Sequence, residues 1–166
     1  MISIGKASTE DIEAIQSVAE IAFPATYAEI LSPGQQAYMM EWMYSETSLR
    51  RQMLDEGHIY YIARAESSVP VGYVSIQRQG SDLFHLQKIY VLPEWQGKQI
   101  GRRLFEQAIR AVKELHPAPC TVELNVNRSN PARGFYERIG MRVVREGDFP
   151  IGGGYYMNDY IMGIEV

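Results

Sequence analysis

The segment from Lys88 to Leu104 combines residue types that suit the binding of a phosphate group. It reads as a strand, a proline stop, a loop containing Gly97 and the start of a helix. Free backbone N–H groups and the positive end of a helix dipole meet at such a junction. Lys98, Arg102 and Arg103 add positive charge, so the segment predicts an anion-binding site.

The same segment also fits a plainer interpretation, a solvated turn that caps a core helix. It has neither the Gly-Lys-Ser/Thr ending of a nucleotide-binding P-loop nor the three glycines of a dinucleotide fingerprint. Neither of these two nucleotide-binding motifs is therefore predicted.

The order of elements around this segment predicts an α+β fold, a mixed and largely antiparallel sheet flanked by helices. A Ser8/Asp11 capping pattern and the pair Ser32-Pro33 mark helix starts. The helical stretches are expected from Ser8 to Ala22, from Ser32 to Tyr44, from Ser45 to Leu54, along an apolar stripe from Leu104 to Leu115, and from Asn130 to Ile139. Alternation and turn residues predict strands at 2–6, 58–65, 71–79, 83–92, 120–126, 141–145 and 155–164.

Length, charge and composition exclude several classes of protein. The 166 residues suit a single domain spanning 1–166. A net charge of −4 argues against a general nucleic-acid binder. Residues 1–6 lack the basic and then apolar pattern of a signal peptide, so none is expected, and no run of apolar residues approaches the length of a membrane span. The single cysteine, Cys120, excludes an internal disulfide, leaves no cysteine pair for a metal, and is expected in the core. We therefore expect a cytoplasmic protein with no metal.

The segment resembles the acyl-CoA-binding signature of the GCN5-related N-acetyltransferases (GNAT family), Gln/Arg-x-x-Gly-x-Gly/Ala between a strand and a long helix. Gln96, Ile100 and Gly101 stand at matching positions. Gln99 occupies a place where the family has glycine, so the loop is expected to be either right-handed there or slightly strained.

A second block, from Leu124 to Met141, resembles the family's penultimate strand, loop and helix. Its Asn, Ala and Tyr positions come in the family's order, and Met141 replaces the usual aromatic residue. The two blocks extend the resemblance over nearly the whole chain and imply the three-layer αβα fold of that family. A softer resemblance, carried by Ala22–Tyr27, Ile89–Glu94 and the glycines before Asp159-Tyr160, points to the PaiA-type polyamine acetyltransferases.

The resemblance implies acetyl transfer from acetyl-CoA to an amine by direct attack in a ternary complex. It assigns backbone contacts with the cofactor to Ile89 and Val91 on the strand, and a further contact to Asn130 in the second block. Contacts with the cofactor diphosphate are assigned to the loop and helix start, at Gln96, Gly97, Lys98, Gln99, Ile100, Gly101 and Arg102. Asn130 also fits a plain helix cap before Pro131.

Tyr136 stands where the family often keeps a tyrosine acid that protonates the departing thiolate, and a half-buried structural tyrosine is the competing interpretation. Relatives often place a glutamate at the positions of Gln87 or Asn125, which are amides here, so a water relay is expected. Strand parity places Glu123 with Asn125 and His85 with Gln87, and Asp159 lies on the last strand; each of these three is expected to be structural or solvated.

The acceptor stays open at this point. Three interpretations compete: acetylation of a small primary amine, for which the softer resemblance suggests a polyamine, acetylation of a protein amine, and a non-catalytic acyl-CoA-binding module. Four aromatic residues could line an acceptor pocket or pack in the core: Tyr27, Tyr38, Trp42 and Tyr44. Either a monomer or a homodimer is compatible with the sequence.

Overall fold

A seven-stranded mixed sheet forms the centre of the computed structural model, which describes residues 1–166. Its strands are β1 (Ser3–Lys6), β2 (Ile59–Arg64), β3 (Pro70–Arg78), β4 (Leu83–Val91), β5 (Thr121–Asn127), β6 (Arg142–Gly152) and β7 (Tyr155–Glu165). The helices are α1 (Ile12–Tyr27), α2 (Pro33–Tyr44), α3 (Glu46–Leu54), α4 (Ile100–Leu115) and α5 (Ala132–Ile139). The strand order is β1-β2-β3-β4-β5-β7-β6, which confirms the predicted α+β class.

The sheet splits at its centre, between β4 and β5. These two strands are parallel, whereas every other neighbouring pair is antiparallel. They pair over three residues only, from Leu83↔Thr121 to His85↔Glu123. Beyond His85, β4 continues to pair with β3 but has no partner on its β5 side. The sheet is therefore open along the second half of β4.

Helices cover both faces of the sheet. Gly72 faces Leu104 of α4, while its neighbour Tyr73 hydrogen-bonds Tyr44 of α2 across 2.5 Å. Successive residues of a strand point to opposite faces, so α4 and α2 lie on opposite sides. Between Ser75 and Ile76 the register with β4 shifts at a bulge that leaves Gln87 without a paired residue.

Local capping explains why the first helices begin where the sequence predicts. The Ser8 hydroxyl accepts from Glu10 N while Asp11 accepts from Ser8 N, which orders the turn ahead of α1. The Ser32 hydroxyl accepts from Gln35 N at 3.1 Å, and Pro33 occupies the first position of α2. The helix starts at residues 33 and 46 match the prediction within one residue.

Two expectations from the sequence are wrong at the ends of elements. Strand β6 does not stop near Arg145 but runs for 11 residues to Gly152, because β7 pairs with it along that length. Leu115, predicted as the last residue of the apolar stripe of α4, is not buried, because it is 49% exposed. None of the five helices combines the length and the apolar character that a membrane crossing would need.

Candidate functional site

The split between β4 and β5 opens into a cavity of about 920 Å³. The second half of β4 forms one wall, and β5 with α5 forms the other. The loop before α4 and the first turn of that helix close one end, and the end of α1 closes another part of the wall.

Ten of the eleven residues that the sequence predicts for the site line this cavity. They are Ile89, Val91, Gln96, Gly97, Gln99, Ile100, Gly101, Arg102, Asn130 and Tyr136. Lys98 is the exception, because its exposed side chain does not reach the lining. The structure thus brings the two sequence blocks together, although they lie far apart in the chain.

Backbone groups of β4 have no strand partner along the cavity wall, and of these Val91 O accepts from the Gln96 side chain. Ile89 pairs with Val74 and Val91 with Gly72, both on the β3 side. On the other side β5 has already diverged. Unpaired strand backbone groups can bind an extended ligand as an added strand would.

The loop before α4 is left-handed at two positions. Gly97 has φ 77° and Gln99 has φ 66°. A glycine adopts such angles readily, whereas a residue with a Cβ pays about 1 to 2 kcal/mol. Of the two alternatives for Gln99, the strained one is correct. The Gln96 side chain steadies the loop by donating to Val91 O at 3.3 Å.

Helix α4 begins with unsatisfied backbone N–H groups. Gln99 provides no side-chain cap, and the first amide bonded to its carbonyl is that of Arg103. The amides of Ile100 and Gly101 therefore face the cavity end as free donors. A Cβ at Gly101 would make an ordinary van der Waals contact with the Phe135 ring, at 3.4 Å.

The cationic residues differ in part from the prediction. Arg102 lines the cavity, but Arg103 donates to Ile2 O at 3.1 Å and does not line it. Arg138, which the sequence analysis missed, reaches the lining from α5. The only feature of the sequence that could have indicated Arg138 is its position as a basic residue near the end of the Leu124–Met141 block. No carboxylate belongs to the lining.

Asn130 caps the turn that leads into α5 while it lines the cavity. Its Oδ1 accepts from Ala132 N at 2.9 Å. The capping interpretation is therefore confirmed. One lone pair of Oδ1 remains for another donor, since an amide oxygen accepts two bonds.

Tyr136 sits on α5 beside Tyr27, and it is 8% exposed. Burial raises the pKa of its phenol above the ordinary value, and the neighbouring Tyr27 raises it further. A phenol in such a setting stays protonated, so it can donate a hydrogen bond or a proton into the cavity.

Only one of the four candidate acceptor aromatics lines the cavity. Tyr27 does so, with its hydroxyl 3.3 Å from that of Tyr90. Tyr44 is a core residue. Tyr38 donates to Ile151 O at 2.6 Å and so fastens α2 to the β6–β7 hairpin, while Trp42 is partly exposed.

A buried lysine beside the bulge of β4 was missed. The Lys88 ammonium donates to Met43 O, Gln52 Oε1 and Tyr60 Oη at 3.2, 3.0 and 2.6 Å. It also lies 4.3 Å from the centre of the Tyr44 ring. Burial lowers the pKa of Lys88 to about 7. The sequence gives no hint of this cage because its members come from four separate elements.

The three residues considered as bases have different surroundings. Glu123 forms a two-pronged ion pair with Arg145 at 2.8 and 3.0 Å. His85 and Asp159 both contact Asn125, at 2.9 and 3.2 Å. Glu123 is thus engaged by a surface cation, whereas His85, Asn125 and Asp159 form one connected chain.

A sheet split between two parallel strands, with a free strand edge and free helix amides converging on the split, defines the class of acyl-CoA N-acyltransferases. The sequence model of the family described as "Acetyltransferase (GNAT) domain" matches residues 26–149. The chain belongs to this GNAT family, and it is an acyl-CoA-dependent N-acetyltransferase.

Two relatives from Thermoplasma acidophilum match most of the chain. The crystal structure of the PaiA N-acetyltransferase in complex with coenzyme A superposes with a TM-score of 0.82 and 26% identity, covering 100% of this chain and 99% of that one. A spermidine N(1)-acetyltransferase is 28% identical over 149 residues, which are 86% of this chain and 89% of that protein.

A third relative points to a different acceptor. A Bacillus subtilis protein with the provisional name ribosomal protein bS18-alanine N-acetyltransferase is 25% identical over 99 residues. That match spans 60% of this chain and 64% of the relative, a little under two thirds of its length.

Proposed function

We propose that the protein transfers the acetyl group of acetyl-CoA to a primary amine of a small molecule, with a polyamine as the leading acceptor class. The observation that carries this proposal is the cavity at the β4–β5 split, where free strand backbone, free helix amides and Tyr136 converge. The relatives that bind coenzyme A or are named for spermidine acetylation support it.

Acetyl-CoA fits this cavity by charge and by hydrogen-bonding groups. Its diphosphate would lie at the amides from Gln96 to Arg102, with the Arg102 and Arg138 guanidinium groups in the same lining. Its pantetheine arm would pair with the open backbone edge at Ile89 and Val91. Lys98 would act only as a nearby surface charge, and Asn130 would use the lone pair that its cap leaves free.

Attack on the thioester needs a neutral amine. Deprotonating an amine with a pKa of about 10.4 costs about 4.6 kcal/mol at pH 7. The amine nitrogen then forms the new bond to the acetyl carbon, and the bond from that carbon to sulfur breaks. A backbone N–H of β4 would stabilise the oxyanion, and Tyr136 would give its proton to the departing thiolate. The nitrogen loses its second proton as the amide forms, and this proton restores the Tyr136 phenol.

A protein or peptide amine is the second candidate acceptor. The lining contains the cationic residues Lys88, Arg102 and Arg138 and no carboxylate, so it offers no direct partner for the additional ammonium groups of a polyamine. The Bacillus subtilis relative is named for acetylation of a protein N-terminal alanine.

The test is release of the CoA thiol from acetyl-CoA with spermidine, spermine, a peptide with N-terminal alanine and a lysine peptide, each against a reaction without acceptor. The proposal predicts that a polyamine is used at least tenfold more efficiently, in kcat/KM, than either peptide. A preference for a peptide would move the protein to the second candidate. Binding of acetyl-CoA without turnover of any amine would make it a non-catalytic module.

A further inference from the structure

A chain of three polar side chains lies next to the cavity, on neighbouring strands. Asp159 of β7 is 2% exposed and accepts from the Asn125 amide of β5 at 3.2 Å. The Asn125 Oδ1 lies 2.9 Å from His85 Nε2 of β4. His85 is the last residue of β4 that pairs with β5, and Asn125 lies two residues beyond its partner Glu123, where the strands separate.

The order of donors and acceptors in this chain fixes the state of the imidazole. A carboxylate only accepts hydrogen bonds, so the NH₂ group of Asn125 must face Asp159. The amide oxygen then faces His85, and Nε2 must carry a proton to donate to it. In a neutral imidazole the other nitrogen, Nδ1, is then left with its lone pair.

His85 Nδ1 is buried and has no hydrogen-bond partner. A buried polar atom without a partner is uncommon in folded proteins and calls for an explanation. His85 is not itself a lining residue, but Asn125, which it contacts, and Gln87, two residues along β4, both line the wall. The Gln87 amide cannot serve as a base, and it already donates to Gln77 at 2.7 Å.

We propose that His85 is the proton acceptor for the amine substrate, and that Asn125 and Asp159 are positioning residues that hold its Nδ1 lone pair ready. This inference rests on the proposed acetyl transfer. The proton leaves the ammonium nitrogen for His85 Nδ1, directly or through one water, and the nitrogen lone pair then attacks the acetyl carbon. The imidazolium returns its proton to solvent after the product leaves.

The surroundings of His85 favour the neutral form of the ring at pH 7. Burial is the main influence and lowers its pKa from the ordinary 6.5. The contact with Asn125, the Glu123 carboxylate and the Gln87 side chain raise the pKa, and Arg145, which is paired with Glu123, lowers it. His58 lies close enough for His85 to lower its pKa, and Asp159 reaches His85 only through Asn125.

The experiment is the pH dependence of kcat/KM for spermidine in wild type and His85→Gln, a change that keeps a donor for Asn125. Wild type is expected to lose activity only below the pKa of His85, and to stay level from there toward the pKa of the amine. His85→Gln is expected to be about 10²-fold slower at pH 7. Its rate should then rise tenfold per pH unit toward about pH 10, because only free amine can react.

A matched control is His116→Gln, since His116 contacts Arg78 and takes no part in the chain from His85 to Asp159. It should leave the profile unchanged. A purely structural role for His85 predicts that the His85→Gln profile runs parallel to that of wild type, and this result would overturn the proposal. Retention of the acetyl-CoA-induced rise in Tm shows that the variant folds.

A second measurement does not depend on turnover. The chain has three histidines, so ¹⁵N NMR can assign the His85 ring by comparison with His85→Gln. Wild type should show the Nε2–H form, and Asp159→Asn should weaken that preference by freeing the Asn125 amide to turn. A dominant Nδ1–H form in wild type would also overturn the proposal, whatever the acceptor.

The two proposals fail in different ways. If spermidine is not acetylated but another amine of the panel is, only the acceptor assignment falls, and the pH profile is measured with that amine. If no amine is acetylated, catalysis and the role of His85 fall together.

Discussion

The Tyr136 hydroxyl is a weak acid, and in the proposed reaction it would protonate the departing CoA thiolate. Burial raises the pKa of the phenol, which makes proton donation to a thiolate of pKa about 8.5 unfavourable in a comparison of isolated groups. The same cavity would also desolvate the thiolate and raise its basicity. Because both groups share one environment, the transfer needs less energy than the phenol alone suggests.

We expect Tyr136→Phe to lower kcat and kcat/KM together, by about 10²-fold, because the lost proton donor acts only in the transition state. The affinity for acetyl-CoA should stay within about twofold. Steady-state kinetics and calorimetric titration measure the two effects. Tyr61→Phe, which removes a hydroxyl outside the cavity lining, serves as the matched control. Equal turnover of Tyr136→Phe and wild type would remove Tyr136 from the mechanism.

Two opposing influences act on the Lys88 ammonium group: hydrogen bonds stabilise it, and burial destabilises it. Its three acceptors match the three protons of an ammonium group. No carboxylate is among them, and burial lowers its pKa to about 7, so desolvation is the stronger influence. In the unfolded chain the same group would titrate near 10.4.

This difference makes stability depend on pH. Between pH 7 and pH 10 the unfolded state binds more protons at Lys88 than the folded state does, so the free energy of unfolding rises with pH. Relative to Lys88→Met, wild type should gain up to about 1.4 kcal/mol per pH unit from pH 7 to 9. Urea unfolding at a series of pH values measures it. The exposed Lys98→Met should show no such slope, and a flat difference for Lys88→Met would contradict the shifted pKa.

At the level of elements, the loop before α4 combines a functional position with backbone strain. Gln99 holds a left-handed conformation at the start of the helix, while its carbonyl accepts from Arg103 N at 3.1 Å. Strain is retained where the surrounding structure compensates for it. Here the long α4, packed on β3 and β4, holds the loop in place.

Gln99→Gly should stabilise the protein by about 0.5 to 1 kcal/mol, because relief of the left-handed strain exceeds the added flexibility of the unfolded chain. The urea midpoint measures it. Gly97→Ala is the opposite test, since a Cβ at this left-handed residue would meet no atom within 4 Å and would report backbone strain alone. It should cost about 1 kcal/mol. Destabilisation by Gln99→Gly would show that the side chain contributes more than its backbone strain costs.

Elements with local signals were predictable, and elements fixed by distant partners were not. The start of α2 depends on Ser32 and Pro33, which are adjacent in sequence, so the sequence predicts it. The length of β6 depends on β7, to which it pairs up to Gly152↔Tyr155. Nothing within 146–152 itself signals that pairing, because Gly147 and Pro150 read locally as turn residues.

The same distinction applies to the site. Ten candidate residues line the cavity because the resemblance fixes their place on a strand, a loop and two helix starts. The sequence does not show in which direction a side chain points. The prediction therefore placed Lys98 and Arg103 at the anion site and missed Arg138. The Lys88 cage and the chain from His85 to Asp159 depend on contacts 28 to 45 and 34 to 40 residues apart. Patterns within a short stretch of sequence cannot predict contacts between residues so far apart.

For the whole molecule, charge and sheet geometry act on the same region. The chain carries a net charge of −4, yet the charged side chains in the cavity lining are all cationic. An anionic ligand would therefore be drawn to the split despite the overall charge. The split also leaves the two parts of the sheet joined by only three residue pairs between β4 and β5, so a ligand that bridges them would supply cohesion that the protein lacks.

Acetyl-CoA should consequently stabilise the folded state by an amount that rises with the logarithm of its concentration above Kd. At a concentration a hundredfold above its Kd the gain is about 2.7 kcal/mol, which for a chain of this size raises Tm by roughly 5 to 10 °C. Differential scanning calorimetry with increasing acetyl-CoA measures the rise in Tm. A comparison of CoA with dephospho-CoA, which lacks the 3′-phosphate, tests the share of the rise due to that phosphate. Higher salt should reduce the shift, because it screens the phosphates from Arg102 and Arg138. A constant Tm up to millimolar acetyl-CoA would contradict binding at the split, since a ligand that prefers the folded state cannot leave its stability unchanged.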